Sequence, residues 1–301
     1  MHLITLMDWE PDRICELLSL AHDLKARARA GTLEPTLRRK TLALLFEKPS
    51  IRTRVSFQVA MTQLGGSSIY VSQADANLGK REPIKDGARV LARYVDGVAA
   101  RTFAHETVEQ LAAYSSVPVI NALSDAAHPC QALADVLTIQ ERFEEPEAAR
   151  VAYVGDANNV SRSLATLCAK LRMDFTLACP PEYSFTDDFM ATLHSTTGRR
   201  IVVCHDPAQA AAGADVLYTD VWTSMGQEAE AEARKKAFAG FCVDAALVAR
   251  AAPGVIVMHD LPAHRGEEIS DDVIEGPHSA VFDQAENRLH AERALLQMLL
   301  A

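Results

Sequence analysis

The sequence predicts an α/β fold made of two doubly wound parallel-sheet domains with a cleft between them. Short apolar, β-rich runs alternate with stretches of helical spacing along most of the 301 residues. The strand-like runs are continuously apolar, which is typical of parallel strands covered by helices on both faces. The polar segment "EEPEAAR" (144–150) divides these runs into two series. A chain of this length suits two domains.

The first series contains four predicted strands and a helix after each one. The strands are "TLALLF" (41–46), "SSIYVS" (67–72), "DGVAAR" (96–101) and "VPVINAL" (117–123). The helices are 54–64, 84–94, 105–115 and 129–143, where apolar residues recur at helical spacing.

The second series begins after the polar segment and contains five predicted strands. They are "RVAYVGD" (150–156), "FTLACP" (175–180), "RRIVVCHD" (199–206), "ADVLYTDVW" (214–222) and "GVIVMHDLP" (254–262). The chain closes with an amphipathic helix in "AENRLHAERALLQMLLA" (285–301). We predict one domain from 1–135, joined by the helix 286–301, and a second domain from 136–285.

Composition excludes several classes of protein. The net charge of −10 argues against a general nucleic-acid surface, and no run of about 18 apolar residues predicts a membrane span. The N-terminus lacks the basic and apolar regions of a signal peptide. The six cysteines are scattered without a C-x-x-C pair, so we expect buried, reduced thiols in a cytoplasmic protein and no metal site.

Polar residues follow six of the predicted strands or the turns just after them. In parallel α/β sheets, ligands bind beyond the carboxyl ends of strands, so these residues predict one binding cleft. They are Ser50–Arg54, Arg101, His128, Asn158–Asn159, Asp220–Met225 and His259–Asp260.

The stretch "FEKPSIRTRVSF" (46–57) gathers three basic residues within an acidic chain. Ser50 is placed to cap a helix, and the free N–H groups of a helix start favour an anion. Taken alone, this motif is explained more simply by a capped helix with solvated arginines. Its neighbours Arg101, His128 and Gln131 change that balance, because they are suited to polarise a carbonyl group and to bind an amide. A phosphate together with a polarised carbonyl indicates an acyl phosphate.

Six motifs resemble those of the ornithine carbamoyltransferases. They are "SIRTR", "HPCQALAD", "VGDANN", "DVWTSMGQE", "LPAHRGEEI" and "FDQAENRLHA", and they follow the family's order and spacing from about residue 40 to the C-terminus. The "DVWTSMG" loop is similar to that of the members that use ornithine, whereas "SxRTR" and "HPxQ" alone would also fit the aspartate branch.

The resemblance implies an enzyme of arginine metabolism. It would transfer the carbamoyl group of carbamoyl phosphate to the δ-amine of L-ornithine, giving L-citrulline and phosphate, without a metal or organic cofactor. It also implies a homotrimer or a larger assembly of trimers, in which "ANLGKREP" (76–83) completes the active site of a neighbouring subunit. Neither nucleic acid nor membrane is an expected partner.

The resemblance also implies the site residues. Arg101, His128 and Asp260 would contact the reacting atoms. The carbamoyl phosphate contacts would be Ser50, Ile51, Arg52, Thr53, Arg54, Asn77, Arg101, His128, Pro129, Cys130, Gln131, Leu261 and Arg288. The ornithine contacts would be Asn159, Asp220, Ser224, Met225 and Asp260.

Three of these residues depart from the family pattern. Ile51 replaces a threonine, and Asn77 replaces a longer polar residue. Asp260 replaces the cysteine of H-C-L-P, which lies beside the reacting amine. Asp260 is open to three interpretations: a tolerated polar substitution, a site tuned in its protonation, or a changed amine substrate or weakened enzyme.

Other functions remain open at this point. The same fold with another amine acceptor is a close alternative. A non-catalytic homologue that binds carbamoyl phosphate is disfavoured, since Arg52, Thr53, Arg101, His128 and Gln131 are all present. A nucleotide-binding oxidoreductase is suggested by "VAYVGDANN", but this segment lacks G-x-G-x-x-G.

Overall fold

A computed structural model of the chain describes residues 1–76, 79, 82–224 and 226–301. It divides into two compact units. We call residues 1–137 with 286–301 the first unit, and residues 138–285 the second unit.

Both units contain parallel sheets. The strands are β1 (Thr41–Phe46), β2 (Ser67–Ser72), β3 (Gly97–Arg101), β4 (Val119–Leu123), β5 (Arg150–Val154), β6 (Asp174–Ala178), β7 (Val202–Cys204), β8 (Val216–Thr219) and β9 (Ile256–His259). The helices are α1 (Pro11–Arg29), α2 (Ile51–Gln63), α3 (Gln73–Ala76), α4 (Ile84–Leu91), α5 (His105–Tyr114), α6 (Pro129–Arg142), α7 (Asn159–Lys170), α8 (Asp187–Thr197), α9 (Pro207–Ala211), α10 (Ala231–Ala237), α11 (Ala245–Val248), α12 (Asp271–Ile274) and α13 (Val281–Leu300).

The first unit contains a four-stranded sheet in the order β2-β1-β3-β4, and every pairing is parallel. The central strand β3 is buried throughout, and β1 is buried after its first residue. The second unit contains a five-stranded parallel sheet in the order β7-β6-β5-β8-β9. The predicted α/β class with two parallel-sheet domains is therefore confirmed.

The strands of the second unit are shorter than the sequence pattern predicts. The apolar run at 199–206 forms a strand only at 202–204, and the run at 214–222 only at 216–219. The residues after β8 form an irregular loop that carries Asp220 and Trp222. Apolar character alone therefore marks the strand but not its end.

The cysteines differ in burial. All six are free thiols, and Cys130, Cys168, Cys179 and Cys204 are buried as expected. Cys15 is exposed on α1, so the expectation of buried thiols is wrong for that residue. None of the helices in the described part of the chain is long and apolar enough to cross a bilayer.

Candidate active site

The start of α2 has the features of an anion site. Ser50 is extended (φ −157°, ψ 114°), and its hydroxyl accepts a hydrogen bond from the Thr53 amide at 3.3 Å. The predicted N-cap is therefore confirmed. No acidic residue lies in the first turn, so the positive end of the helix dipole is not neutralised there.

The side chains of this first turn point in different directions. Thr53 is buried and Arg52 is half-buried, whereas Ile51 is 75% exposed. Arg54 is also exposed, and its guanidinium carbon lies 3.9 Å from the centre of the Tyr70 ring in β2. The structure thus places Thr53 inside the unit and Arg54 on its surface. The predicted contact of Arg54 with carbamoyl phosphate stays a prediction.

Arg288 on α13 bonds to two other predicted site residues and joins them into one cluster. Its Nη1 donates to Gln131 Oε1 at 2.7 Å, and its Nη2 donates to Thr53 Oγ1 at 3.2 Å. Gln131 in turn donates to Asp135 Oδ1 at 2.8 Å, which fixes its amide so that the oxygen faces Arg288. Arg288 is only 4% exposed. Helices α2, α6 and α13 therefore hold this guanidinium from three sides.

His128 and Arg101 belong to the same charged neighbourhood. Both side chains are buried, His128 just before α6 and Arg101 at the end of β3. Burial lowers the pKa of His128 well below its usual value, and the charges of Arg288 and Arg101 lower it further. His128 is therefore a neutral imidazole at neutral pH. It can donate a hydrogen bond to a carbonyl oxygen without adding a third positive charge.

Cys130, another predicted contact, has an unreactive thiol. Burial raises its pKa, as does the nearby carboxylate of Glu292. Its Sγ donates to the backbone oxygen of Asn121 at 3.5 Å. Together with Pro129, the first residue of α6, Cys130 contributes backbone and packing to the helix start and no nucleophile.

Glu292 is a residue of this cluster that the sequence reasoning missed. It lies on α13 one turn after Arg288, and its Oε1 accepts from Nε and Nη2 of Arg288 at 3.2 and 2.9 Å. Glu292 is completely buried, and burial raises its pKa to about 7 against the opposing effect of Arg288. The available signal was its spacing of four residues from Arg288 on an amphipathic helix.

In the second unit, Asp220 follows β8 and is held in place by hydrogen bonds. Its Oδ2 accepts from Asn158 Nδ2 at 2.7 Å, and its Oδ1 accepts from the Val221 amide at 2.7 Å. Asn158 also caps α7, because its Oδ1 accepts from the amides of Val160 and Ser161. Asn159 is the first residue of α7 and is half-buried, so this cap also places Asn159.

Carboxylates dominate the polar groups at this edge of the second sheet. Burial raises the pKa of Tyr153, and the negative charges of Asp220, Asp260 and Asp156 raise it further. Burial also raises the pKa of Asp156, although Arg234 opposes that shift. A region with this charge favours a cationic group such as an alkyl ammonium.

Oxygen and nitrogen atoms of Asp220, His259 and Asp260 lie within 4.8 Å of one another. His259 Nε2 lies 2.9 Å from Glu268 Oε1, while its Nδ1 accepts from the Leu261 amide at 2.9 Å. Because Nδ1 accepts a hydrogen bond, Nε2 is the ring nitrogen that donates to Glu268, and both ring nitrogens are used within the protein. We assign no metal to this group, since His259 has no lone pair left to offer one.

Glu268 stabilises the turn that carries Asp260 through hydrogen bonds to the residues on either side of it. This buried carboxylate accepts from His259 and also from the His264 amide at 2.6 Å. Leu261 has a positive φ of 59°, and a cis peptide bond joins it to Pro262. Arg265 pairs with Asp271 and Glu275 rather than with its neighbours in the sequence. Sequence reasoning missed Glu268, because a glutamate within "RGEE" suggests a solvated side chain.

The loop after Trp222 is anchored by Arg234 of α10. This guanidinium donates to Asp156 Oδ2 at 2.8 Å, to the backbone oxygen of Trp222 at 3.1 Å and to Glu230 Oε2 at 3.0 Å. The charge pattern of segment 228–236 suggests a uniformly solvated helix. Arg234 within it is only 6% exposed, so that interpretation is wrong for this residue.

Ser224 is half-buried in this loop, and its amide donates to Gln227 Oε1 at 3.1 Å. Two other predicted contacts, Asn77 and Met225, lie outside the described residues.

Comparisons with known proteins agree along the whole chain. Residues 1–141 match the family model described as the carbamoyl-P binding domain of aspartate/ornithine carbamoyltransferase. Residues 147–299 match the model of the Asp/Orn binding domain. An ornithine carbamoyltransferase of Halalkalibacterium halodurans is 50% identical over 301 residues, covering 99% of this chain and 94% of that protein.

An ornithine carbamoyltransferase of Pyrococcus abyssi is also 50% identical over 301 residues, covering 99% of this chain and 95% of that protein. Among solved structures, ornithine carbamoyltransferase from Pyrococcus furiosus superposes with a TM-score of 0.95 at 48% identity, covering 99% of this chain and 96% of that one. The anabolic enzyme from Campylobacter jejuni gives a TM-score of 0.92 at 38% identity, covering 99% and 98%.

Proposed function

We propose that this chain, which belongs to the aspartate/ornithine carbamoyltransferase family, transfers the carbamoyl group of carbamoyl phosphate to the δ-amine of L-ornithine, giving L-citrulline and phosphate. The observation that carries this proposal is the match of nearly the whole chain, at about half identity, to proteins named ornithine carbamoyltransferase. The buried cluster around Arg288 supports the proposal, because it gathers predicted carbamoyl phosphate contacts in one place.

The first unit would bind carbamoyl phosphate. The N-terminus of α2 and the side chain of Arg52 would bind the phosphate oxygens, since a guanidinium group matches their geometry. Arg288, which bonds to Gln131 and Thr53, would also contact carbamoyl phosphate. Arg101, Thr53 and neutral His128 would donate hydrogen bonds to the carbonyl oxygen. Gln131 would bind the carbamoyl amide.

The reaction is an acyl transfer. The lone pair of the amine forms a new C–N bond at the carbonyl carbon, and negative charge develops on the carbonyl oxygen. The bond between carbon and the bridging phosphate oxygen then breaks, its electron pair leaves with phosphate, and the attacking nitrogen loses one proton. Preorganised donors at the developing oxyanion are each worth about 3–4 kcal/mol in such reactions.

The second unit would bind ornithine. Asp220 would bind the α-ammonium group, with Asn159 and Ser224 beside it. The δ-amine has a solution pKa near that of lysine, about 10, and must lose its proton before it attacks. We place Asp260 beside this amine, where its charge would influence the loss of that proton.

We also propose that the chain assembles as a homotrimer or a larger assembly of trimers. Exposed apolar side chains on α2 and the edge strand β2 support a protein contact on the first unit: Ile51 is 75% exposed, Ile69 54% and Val55 48%. Light scattering would measure the molar mass. Ile69→Glu should shift the mass towards the monomer, and a monomeric wild type would refute the assembly.

The proposal also includes the metabolic role of the reaction and the cellular compartment. Citrulline formation from ornithine belongs to arginine metabolism. All six cysteines are free thiols, which supports a reducing compartment such as the cytoplasm.

A panel of amine acceptors tests the proposed substrate. We would measure carbamoylated product from carbamoyl phosphate with ornithine, acetylornithine, putrescine, lysine and aspartate. We expect kcat/KM for ornithine to exceed that of each other amine by at least ~100-fold, because the site must match both its length and its α-amino-acid group. A higher value with another acceptor would overturn the assignment of ornithine.

A further inference from the structure

We propose that Glu292 is a positioning residue of the carbamoyl phosphate site, and that its proton occupancy sets how tightly the site holds a dianion. The inference deepens the proposed function and rests on it, since it assumes that Arg288 contacts bound carbamoyl phosphate. Glu292 itself would touch only Arg288 and its protein neighbours.

The geometry makes Glu292 the charged anchor of Arg288. The guanidinium has three side-chain acceptors, and two of them, Gln131 Oε1 and Thr53 Oγ1, are neutral. Glu292 Oε1 accepts two further bonds, from Nε at 3.2 Å and Nη2 at 2.9 Å. It therefore fixes the rotation of the guanidinium plane, which decides where the one remaining N–H group, on Nη1, points.

The groups around Glu292 determine its charge. Arg288 faces it from α13 itself, Ser56 faces it from α2, and Cys130 faces it from α6. Ser56 and Arg288 favour the carboxylate, but burial outweighs them and raises the pKa to about 7. At neutral pH the residue is therefore divided between its protonated and its ionised form.

A bound dianion would change that balance. Arg288 would then lie between two negative groups, and like charges disfavour each other's ionised form. Anion binding should therefore draw a proton from solvent onto Glu292. By linkage, the affinity for the anion falls as pH rises above about 7, by up to about tenfold per pH unit until the pKa of the complex is reached.

Inhibition by sulfate against carbamoyl phosphate tests this directly. Sulfate keeps two charges between about pH 6 and pH 9, so its own titration does not enter. For the wild type we expect the inhibition constant to rise about tenfold across this range. Glu292→Gln keeps the acceptor oxygen but cannot ionise, so its inhibition constant should stay flat and equal the wild-type value at the acid end.

The matched control is Glu286→Gln on the same helix. This glutamate is half-exposed and pairs with His290. Its pH profile should follow that of the wild type, and KM for ornithine should not change in either variant. A Glu292→Gln profile parallel to the wild type, or a flat wild-type profile, overturns the inference.

A second measurement needs no variant. Calorimetric titration of the wild type with sulfate near pH 7, in two buffers of different ionisation enthalpy, should show proton uptake of a fraction of one proton per anion bound. Zero uptake overturns the inference. A wild type that takes up protons with sulfate but forms no citrulline would instead contradict the proposed function, so the two failures are distinguishable.

Discussion

The two polar clusters of this chain have opposite charge and are held in place by different elements of secondary structure. In the first unit, Arg288, Arg101 and the start of α2 form a cationic site, and Arg288 is fixed by hydrogen bonds from three helices. In the second unit, Asp156 and Asp220 form an anionic site carried by turns after strands β5 and β8. The second unit also buries a positive charge, Arg234, but that guanidinium is paired with Asp156 and Glu230.

We propose that this difference reflects what each cluster binds. A preformed set of donors suits a small dianion, whose position must be fixed before attack. Carboxylates on turns suit an amino acid whose ammonium groups must be bound at one end and deprotonated at the other. Substitutions in the two clusters should therefore affect different kinetic parameters.

Arg101→Gln should have the largest effect. This substitution removes a buried positive charge at the end of β3 that we place on the carbonyl oxygen. We expect kcat to fall by about 10²–10³, with a smaller change in KM for ornithine. Steady-state kinetics would measure both. A fall in kcat of less than about tenfold would remove Arg101 from the catalytic contacts.

Asp220→Asn should mainly weaken ornithine binding. Replacing a carboxylate partner of an ammonium group costs about 1.5–3 kcal/mol, which corresponds to a rise in KM for ornithine of roughly ten- to a hundredfold. KM for carbamoyl phosphate should change little. If carbamoyl phosphate binding weakens as much as ornithine binding, the division of roles between the two clusters is wrong.

Asp260→Cys should have the smallest effect, and we expect it in the pH dependence of kcat/KM for ornithine. An ionised Asp260 beside the amine favours the ammonium form, so the wild-type enzyme should need a higher pH to reach half of its maximal kcat/KM for ornithine. We expect the acid limb of the variant to lie about 0.5–1 pH unit lower. Superimposable profiles would show that the substitution of cysteine by aspartate is merely tolerated.

The sequence predicts most of the fold because the fold depends on local patterns. Continuously apolar runs specify buried parallel strands, and Ser50 specifies a helix start through one side-chain hydrogen bond. Each of these signals is contained within a few consecutive residues, so a single sequence is sufficient to recognise it.

The supporting residues were not predictable in the same way. Glu268, Glu292 and Arg234 look like solvated charges in the sequence, yet each is buried with partners that compensate its charge or complete its hydrogen bonds. Arg234, for example, reaches Asp156, which is 78 positions away in the chain. The burial of these groups is decided by tertiary packing, which a pattern of charges along one helix does not reveal.

The most direct test of the account is the stoichiometry of the reaction catalysed by the wild-type chain. Carbamoyl phosphate labelled in its carbonyl carbon would be incubated with L-ornithine, and labelled citrulline and free phosphate would be measured together. The account predicts that both products appear in equal amounts and only when ornithine is present, above the spontaneous hydrolysis of carbamoyl phosphate. Phosphate release that does not depend on ornithine, or that yields no labelled citrulline, would contradict it.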